Sequence, residues 1–435
     1  MVETERPLLV VRRLPVEIEL KHVYKVFGDQ PSGRALDLAK AGVPKDDVQT
    51  MTDHVVGLND VNFSVQRGEI FVVMGLSGSG KSTAIRTVNK LFTVTDGEVL
   101  VEGTDVQKLE GRALQEFRRQ KMGMVFQHFA LFPHRSVIEN TAYGLEVQGM
   151  DRKNREDAAM RALASVGLDR FALSYPSELS GGMQQRVGLA RALAADPDIL
   201  LMDEAFSALD PLIRRQMQDD MMEIQQRLQK TILFITHDLN EALRIGDRVC
   251  VMKDGAVIQI GTPEEILTQP ADAYVADFVQ DVDQGRVIDV GSVMTAADPL
   301  VVEDESLEQL RPRVESVSGR YVTSRQGRVL GLLTAEDIDR ASKMGSTFLR
   351  RALRRDYDRT TPDATLNENY AAAGRGLPIA VLDDGGKLVG TLEPTDVLAE
   401  LGRVEDLASE IAAAAEPDGG GSPGPGGSGH EEAMV

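Results

Sequence analysis

The chain is patterned in two registers. GEIFVVMG at 68–75 and PDILLMDE at 197–204 are unbroken apolar runs that end in glycine or in acids. Continuous rather than alternating runs mark strands of a sheet covered on both faces. KSTAIRTVNKLF at 81–92 and PLIRRQMQDDMMEIQQRL at 211–228 read as helices. Strand-like and helix-like segments alternate in this way from residue 16 to about 280, which predicts a mainly parallel sheet flanked by helices. MDRKNREDAAMRALASVGL at 150–168 adds a helical stretch inside that alternation, the expected body of a helical subdomain over about 128–190.

The pattern changes near 270–290, and a repeat follows. GRVLGLLTAEDI at 327–338 and GKLVGTLEPTDV at 386–397 share Gly, a basic residue, aliphatics and a closing Asp-aliphatic pair. DESL at 304–307 likewise matches DATL at 363–366. The pairs Asp304/Asp363, Leu307/Leu366, Gly331/Gly390 and Asp337/Asp396 are all separated by the same number of positions. Unrelated matches would drift, so the constant offset predicts a duplicated module. EPDGGGSPGPGGSGHEE at the end is rich in Gly, Pro and Ser, a composition that needs no fold of its own.

Composition narrows the class. Hydrophobic residues are 42% of the 435, enough for ordinary cores. The net charge of −20 repels phosphate backbones and disfavours a nucleic-acid partner. The single cysteine, Cys250, cannot form an intrachain disulfide and reads as a small core residue in a reducing compartment. The first residues, MVETERPLLVVRRLPVE, lack the long apolar core of a signal peptide. No run reaches the roughly 18 apolar residues a spanning helix needs, so any work at a membrane is expected to go through partners.

GLSGSGKS at 75–82 fits G-x-x-x-x-G-K-[ST] between a strand and a helix. Gly75, Gly78 and Gly80 let the backbone wrap close to phosphates, and the amides with the helix N-terminus bind the anion. The candidate phosphate-binding set is Gly75, Ser77, Gly78, Ser79, Gly80, Lys81, Ser82 and Thr83. Lys81 can reach the β- and γ-phosphates, and the Ser82 hydroxyl can bind Mg²⁺. Asp203, closing the second buried strand, is a further Mg²⁺ candidate. Neighbours on a strand face opposite ways, so Glu204 is free to orient or deprotonate the attacking water. An Asp-Glu pair at a strand end is common; the phosphate loop gives this one its weight.

LSGGMQQR at 179–186, together with Gln127 in VFQHFALFPH, SALD at 207–210 and His237 in ITHD, resembles ABC-type ATPase subunits over most of residues 16–280. The resemblance implies a head-to-tail homodimer with ATP held between one subunit's phosphate loop and the other's signature residues Ser180, Gly181, Gly182 and Gln184. It implies that Asp210 links the two sites and that Glu204, His237 and Gln127 form the catalytic set. Gln127 would also touch Mg²⁺ and relay the nucleotide state. In YKVFG at 24–28 the family's adenine-stacking ring would be Phe27, with Tyr24 as the alternative.

The segment DQPSGRALDLAKAGVPKDDVQTMTDHVVGLND after Gly28 is an insertion, expected to be helical over 29–52. With FALFPHRSVIENTAYGLE and DEAFSALDPLIRRQMQ it resembles the ATP-binding subunits of glycine betaine/proline importers, which carry a C-terminal CBS pair. That implies ATP- and Mg²⁺-dependent uptake of a compatible solute of the glycine betaine, proline or choline type, regulated by osmotic stress. The partners implied are transmembrane permease subunits and an extracytoplasmic solute-binding protein, with the chain peripheral on the cytoplasmic face of the inner membrane. FALFPHRSVIENTAYGLE reads either as a docking surface for a permease helix or as core of the helical subdomain. An importer of another amino-acid-like solute is the nearest alternative. A soluble ABC ATPase is the other, and it predicts basic patches, coiled-coil arms or two cassettes.

The expected fold is therefore α/β: an ABC-type phosphate-loop ATPase domain with a helical subdomain at 1–284, then an α+β tandem CBS pair at 285–405, with copies at about 287–345 and 346–404. A flexible acidic, Gly-rich tail would occupy 406–435. In CBS pairs a Thr/Ser-x-x-Asp places a hydroxyl and a carboxylate on ribose, which implies an adenine nucleotide at Thr334, Asp337 and Asp396. The second copy has Glu393 where Thr is expected, so a ligand should lean on Thr334 and Asp337. FLRRALRRDYDR would set Arg350/Arg354 and Arg351/Arg355 on one helix face. It reads as a solvated face or as an ionic-strength sensor.

Overall fold

The computed structural model describes residues 15–127, 130–280, 285, 287–301, 307–315, 318–344 and 348–399. The expected tail at 406–435, the anchor Asp304 and the first residues of the chain lie outside them.

In chain order the first part runs β1 (Val16–Phe27), α1 (Arg34–Lys40), α2 (Lys45–Thr52), β2 (Val55–Gln66), β3 (Ile70–Met74) and α3 (Lys81–Val88). Next come β4 (Asp96–Val101), β5 (Thr104–Asp105), α4 (Gly111–Lys121), β6 (Met122–Phe126), α5 (Val137–Val147), α6 (Arg152–Ser165) and α7 (Gly181–Leu193). They are followed by β7 (Ile199–Asp203), α8 (Pro211–Leu228), β8 (Thr231–Thr236), α9 (Leu239–Ile245), β9 (Arg248–Lys253), β10 (Ala256–Gly261), α10 (Pro263–Thr268) and α11 (Ala273–Val279).

The central sheet has the order β10-β9-β3-β8-β7-β6, parallel except for the edge strand β10. Every residue of β3, β7 and β8 is buried, which is why their sequences are unbroken apolar runs. Their side chains alternate between two cores. Ile70, Val72 and Met74 join Leu200, Met202 and Phe234 on the face covered by α7, α8 and α9. Phe71 and Val73 join Ile199, Leu201 and Leu233 on the other face, with Ile85 of α3.

That second face also carries a four-stranded antiparallel sheet, β2-β1-β4-β5, which the apolar-run reading does not anticipate. Its strands expose one side, so they alternate, and β1 pairs with β2 through several register shifts that blur even the alternation. The insertion folds as α1 and α2, packed through Ala35, Leu36, Ala39 and Val48 onto Val26 and Val56. Among the described residues no helix is long and apolar enough to cross a membrane.

The C-terminal part is α12 (Val290–Val293), β11 (Thr295–Ala296), β12 (Leu300–Val301), α13 (Leu307–Glu315), β13 (Arg320–Thr323), β14 (Val329–Leu333), α14 (Ala335–Lys343) and α15 (Leu349–Ala352). It continues with β15 (Arg359–Thr360), α16 (Tyr370–Ala373), β16 (Ile379–Leu382) and β17 (Leu388–Leu392). Two small sheets result, β12-β13-β14 and β11-β17-β16-β15. The repeat is visible residue by residue. Tyr321 pairs with Leu332 and Val322 with Gly331 in the first; Ala380 pairs with Thr391 and Val381 with Gly390 in the second. Even the irregularity recurs, between Val322 and Thr323 and between Val381 and Leu382. The two units meet through Tyr321, Leu332 and Ala380. Each thus has the same α+β plan, and the whole is an α/β domain followed by a tandem α+β pair.

Candidate functional site

The candidate phosphate loop is built on three glycines in conformations that side chains rarely adopt. Gly75, Gly78 and Gly80 have φ of +147°, +81° and +101°, in the region that side chains avoid. A Cβ on Gly75 would fall 2.2 Å from the Met252 carbonyl oxygen, and one on Gly80 would fall 2.6 Å from that of Gly57. The loop is thereby pressed against β2 and the β9–β10 turn, and Gly255 N–H donates to the Ser79 carbonyl at 3.0 Å. Ser77 and Gly78 are exposed, while Ser82 and Thr83, in the first turn of α3, are half-buried.

Two polar groups are buried in this loop. The Ser79 hydroxyl is buried with no hydrogen bond. Lys81, 4% exposed, folds its ammonium back onto the carbonyls of Gly75 and Leu76 at 2.8 and 3.0 Å. Desolvation by burial pushes its pKa down, and the nearby Glu204 and Asp203 carboxylates partly oppose that. An orphaned hydroxyl and a buried ammonium at the start of a helix fit a phosphate chain.

Asp203 closes β7 beneath the loop. Its Oδ1 accepts from the Ser82 hydroxyl at 2.9 Å, and its Oδ2 pairs with Arg86 at 3.1 Å. The Ser82–Asp203 pair offers the hard oxygen donors that suit Mg²⁺. Glu204, next in sequence, takes a left-handed turn at φ +47°, a conformation that costs energy away from glycine. Its carboxylate lies within reach of two other elements. Gln127 Nε2 donates to Glu204 Oε2 at 3.3 Å, and His237 Nδ1 lies 3.3 Å from the same oxygen. Residues from the ends of β6, β7 and β8 thus converge on one carboxylate.

The candidate signature residues lie at the start of α7. Ser180 caps α7, accepting from Met183 N–H at 3.4 Å, and α7 packs against α5, α6 and β6. Ser180 and Gly181 are exposed, whereas Gly182 is buried where a Cβ would strike Ile213 at 2.5 Å. Gln184 is turned inward, donating to the Pro176 and Leu179 carbonyls. Asp210 caps α8 through Ile213 N–H at 3.1 Å. Phe27 ends β1 with its ring against Gly57, the residue backing Gly80, and edge-on to Phe92 at 5.5 Å. Tyr24 instead packs with the insertion's apolar cluster.

The family model described as ABC transporter matches residues 58–207. The glycine betaine/carnitine transport ATP-binding protein GbuA of Listeria monocytogenes is 46% identical over 388 residues, 88% of this chain and 97% of that protein. The chain belongs to the ABC transporter ATP-binding subunits. The glycine betaine transport ATP-binding protein OpuAA of Bacillus subtilis is 45% identical over 384 residues, covering 86% of this chain and 90% of that one. The glycine betaine/proline betaine transport ATP-binding protein ProV of Escherichia coli is 52% identical over 274 residues, 63% of this chain and 68% of that one. By class the ABC subunit is an ATP hydrolase.

Sequence reasoning about this ABC subunit overlooked Arg86, the ionic partner of Asp203. Its spacing of four from Ser82 on α3 was the available signal. It also overlooked Lys45, whose Nζ donates to the Gly78 carbonyl at 3.1 Å. Two expectations concern the C-terminal pair. Thr334 and Asp337 do come together, but as a capping box: the Thr334 hydroxyl donates to Asp337 Oδ2 at 2.6 Å, and Asp337 N–H donates back at 3.2 Å. Asp337, 2% exposed, also pairs with Arg340 and Arg354 at 3.1 and 3.3 Å. Neither residue lines the nearby cleft of about 420 Å³, whose walls include Ser318, Gly319, Tyr321, Thr391 and Glu393. Asp396 is half-buried and accepts from the Thr295 hydroxyl at 3.4 Å. The arginine stripe is also broken: α15 ends at Ala352, so Arg354 leaves the helix, bridges to Leu332 and turns to Asp337.

Proposed function

We propose that this subunit hydrolyses ATP to drive uptake of a compatible solute of the quaternary-amine class, glycine betaine or proline betaine, through membrane permease subunits. The observation that carries the reading is the near full-length similarity to a glycine betaine/carnitine transport subunit, joined to a phosphate loop with its carboxylates in register.

In this reading Lys81 leaves the Gly75 and Leu76 carbonyls for the β- and γ-phosphates, and the Ser79 hydroxyl and the loop amides of 77–83 complete the cradle. Ser82, Asp203 and Gln127 hold Mg²⁺, which neutralises phosphate charge when bound. Glu204 orients and deprotonates the attacking water, while His237 and Gln127 fix its carboxylate from two sides. Phe27 stacks on adenine. Ser180 and Gly181 present the exposed start of α7 to the nucleotide of a second copy, with Gly182 packed behind them, Gln184 braces that turn, and Asp210 sits at the junction. A homodimer of these subunits works with the permease and an extracytoplasmic solute-binding protein at the inner face of the membrane. The stretch 130–146 contributes both core and docking: Asn140, Thr141 and Leu145 are buried, while Ile138 borders a groove beside the 83%-exposed Leu173. Residues 285–405 act as a CBS-type regulatory pair, and an adenine nucleotide would enter at the Ser318–Glu393 cleft.

Uptake of radiolabelled glycine betaine, proline and choline by the reconstituted complex tests the reading. ATP-dependent accumulation of glycine betaine is expected. Accumulation of none of the three, with ATP turnover intact, overturns the substrate class.

A further inference from the structure

Residues 29–54 leave β1 just after Phe27 and return two residues before Gly57. The excursion is firmly seated. Its apolar residues share a cluster with Val26 and Val56, and the His54 ring fills the space that a side chain on Gly28 would need. It therefore runs from the candidate base platform to the phosphate loop. At the loop end, Lys45 opens α2 and sets its ammonium 3.1 Å from the Gly78 carbonyl oxygen.

Nothing in the insertion itself explains a lysine there. A cation in the first turn opposes the positive end of a helix, whereas the Asp46 and Asp47 that follow suit it. Lys40 on α1 pairs with Asp96, but Lys45 forms no ion pair among the described residues. The Gly78 carbonyl takes one of its three N–H groups. Gly78 is exposed, with nothing within 4 Å of where its Cβ would stand, so the ammonium rests on an open crest of the anion-binding loop. Lys81, the other ammonium of the loop, is buried and disfavoured there by desolvation.

We propose that Lys45 is an additional phosphate-binding residue, delivered by the insertion, which adds a positive charge to the loop when a nucleoside triphosphate binds. This rests on reading residues 75–82 as the phosphate loop. The insertion thereby becomes part of the nucleotide site, touching it at the base end and at the phosphate end.

The test is calorimetric ATP binding and steady-state ATPase kinetics on the full chain with Mg²⁺. The variants are Lys45→Arg, Lys45→Gln, Lys45→Met and Lys81→Ala, each checked for a native far-UV spectrum. Losing one charge-assisted hydrogen bond should weaken ATP binding about tenfold in the Gln and Met variants. KM should rise by more than kcat falls. Arg keeps the charge and should bind within about twofold of the parent. Gln can still donate to the Gly78 carbonyl, so parent-like affinity in Lys45→Gln would make Lys45 a brace and overturn the proposal. Parent-like affinity in all three Lys45 variants, with binding lost in Lys81→Ala, overturns it as well and leaves the loop reading standing. Retained binding in Lys81→Ala would overturn the loop reading itself, and the proposal with it.

Discussion

Glu204 holds a positive φ that ordinary side chains avoid, and its carboxylate is met by Gln127 and His237 from neighbouring strand ends. Strain kept at a convergence of polar groups is the arrangement expected of a working base. Glu204→Gln preserves shape and removes the base, so turnover should fall about 10²-fold or more. ATP should still bind, and ATPase and equilibrium-binding assays on the same preparation separate the two. Cys250 behaves oppositely, as a group with no role in chemistry. Burial between β3 and β10 pushes its thiol from 9.0 up to about 12. The native state therefore keeps this proton where the unfolded chain loses it. The stabilisation is complete below pH 9 and is lost as the pH rises toward 12. A maleimide should not label the native protein at pH 8 and should label it fully in denaturant.

Elements were legible where one physical pressure shaped the sequence, and illegible where two competed. The doubly buried strands β3, β7 and β8 announce themselves as apolar runs, and α8 has the bounds its pattern suggests. β1 and β2 do not, because their pairing is interrupted and one face is half-exposed. The candidate phosphate loop and its acids stand out in the sequence because close approach to an anion dictates residue type. Lys45 does not, because only the folded insertion brings it to Gly78. The arginine run departs from its pattern for a related reason: helical spacing does not extend past Ala352, where the chain turns into an extended bridge. That correction predicts unequal arginines. Arg350, Arg351 and Arg355 are exposed, and replacing them with Ala should alter stability by less than about 0.5 kcal/mol. Arg354→Ala strips a partner from the buried Asp337 and should cost about 1–3 kcal/mol. Thermal melts of the four single variants would show one outlier, and four equal melts would restore the uninterrupted stripe.

At the scale of the whole molecule, the duplicated pair has the internal regularity of a separate unit. Equivalent strand pairs, an equivalent irregularity and a shared seam through Tyr321, Leu332 and Ala380 mean that its two copies brace each other. The ATPase part, in turn, completes its own sheet before residue 280, and beyond that point Val287 packs against one of its cores. Neither part needs the other to bury its strands, so the pair is free to serve control while catalysis stays with the first part. Removing residues 285–435 should therefore leave ATP turnover by the reconstituted transporter within about twofold, since among the described residues no group of the candidate phosphate loop or of the Glu204 cluster comes from that segment. What should change is the response to conditions. Glycine betaine uptake measured across a range of osmolarity and internal salt should lose its threshold in the truncated complex and run at a rate set by ATP alone. An unchanged threshold would assign osmotic control to the ATPase part or to the permease, and the duplicated module would then serve assembly.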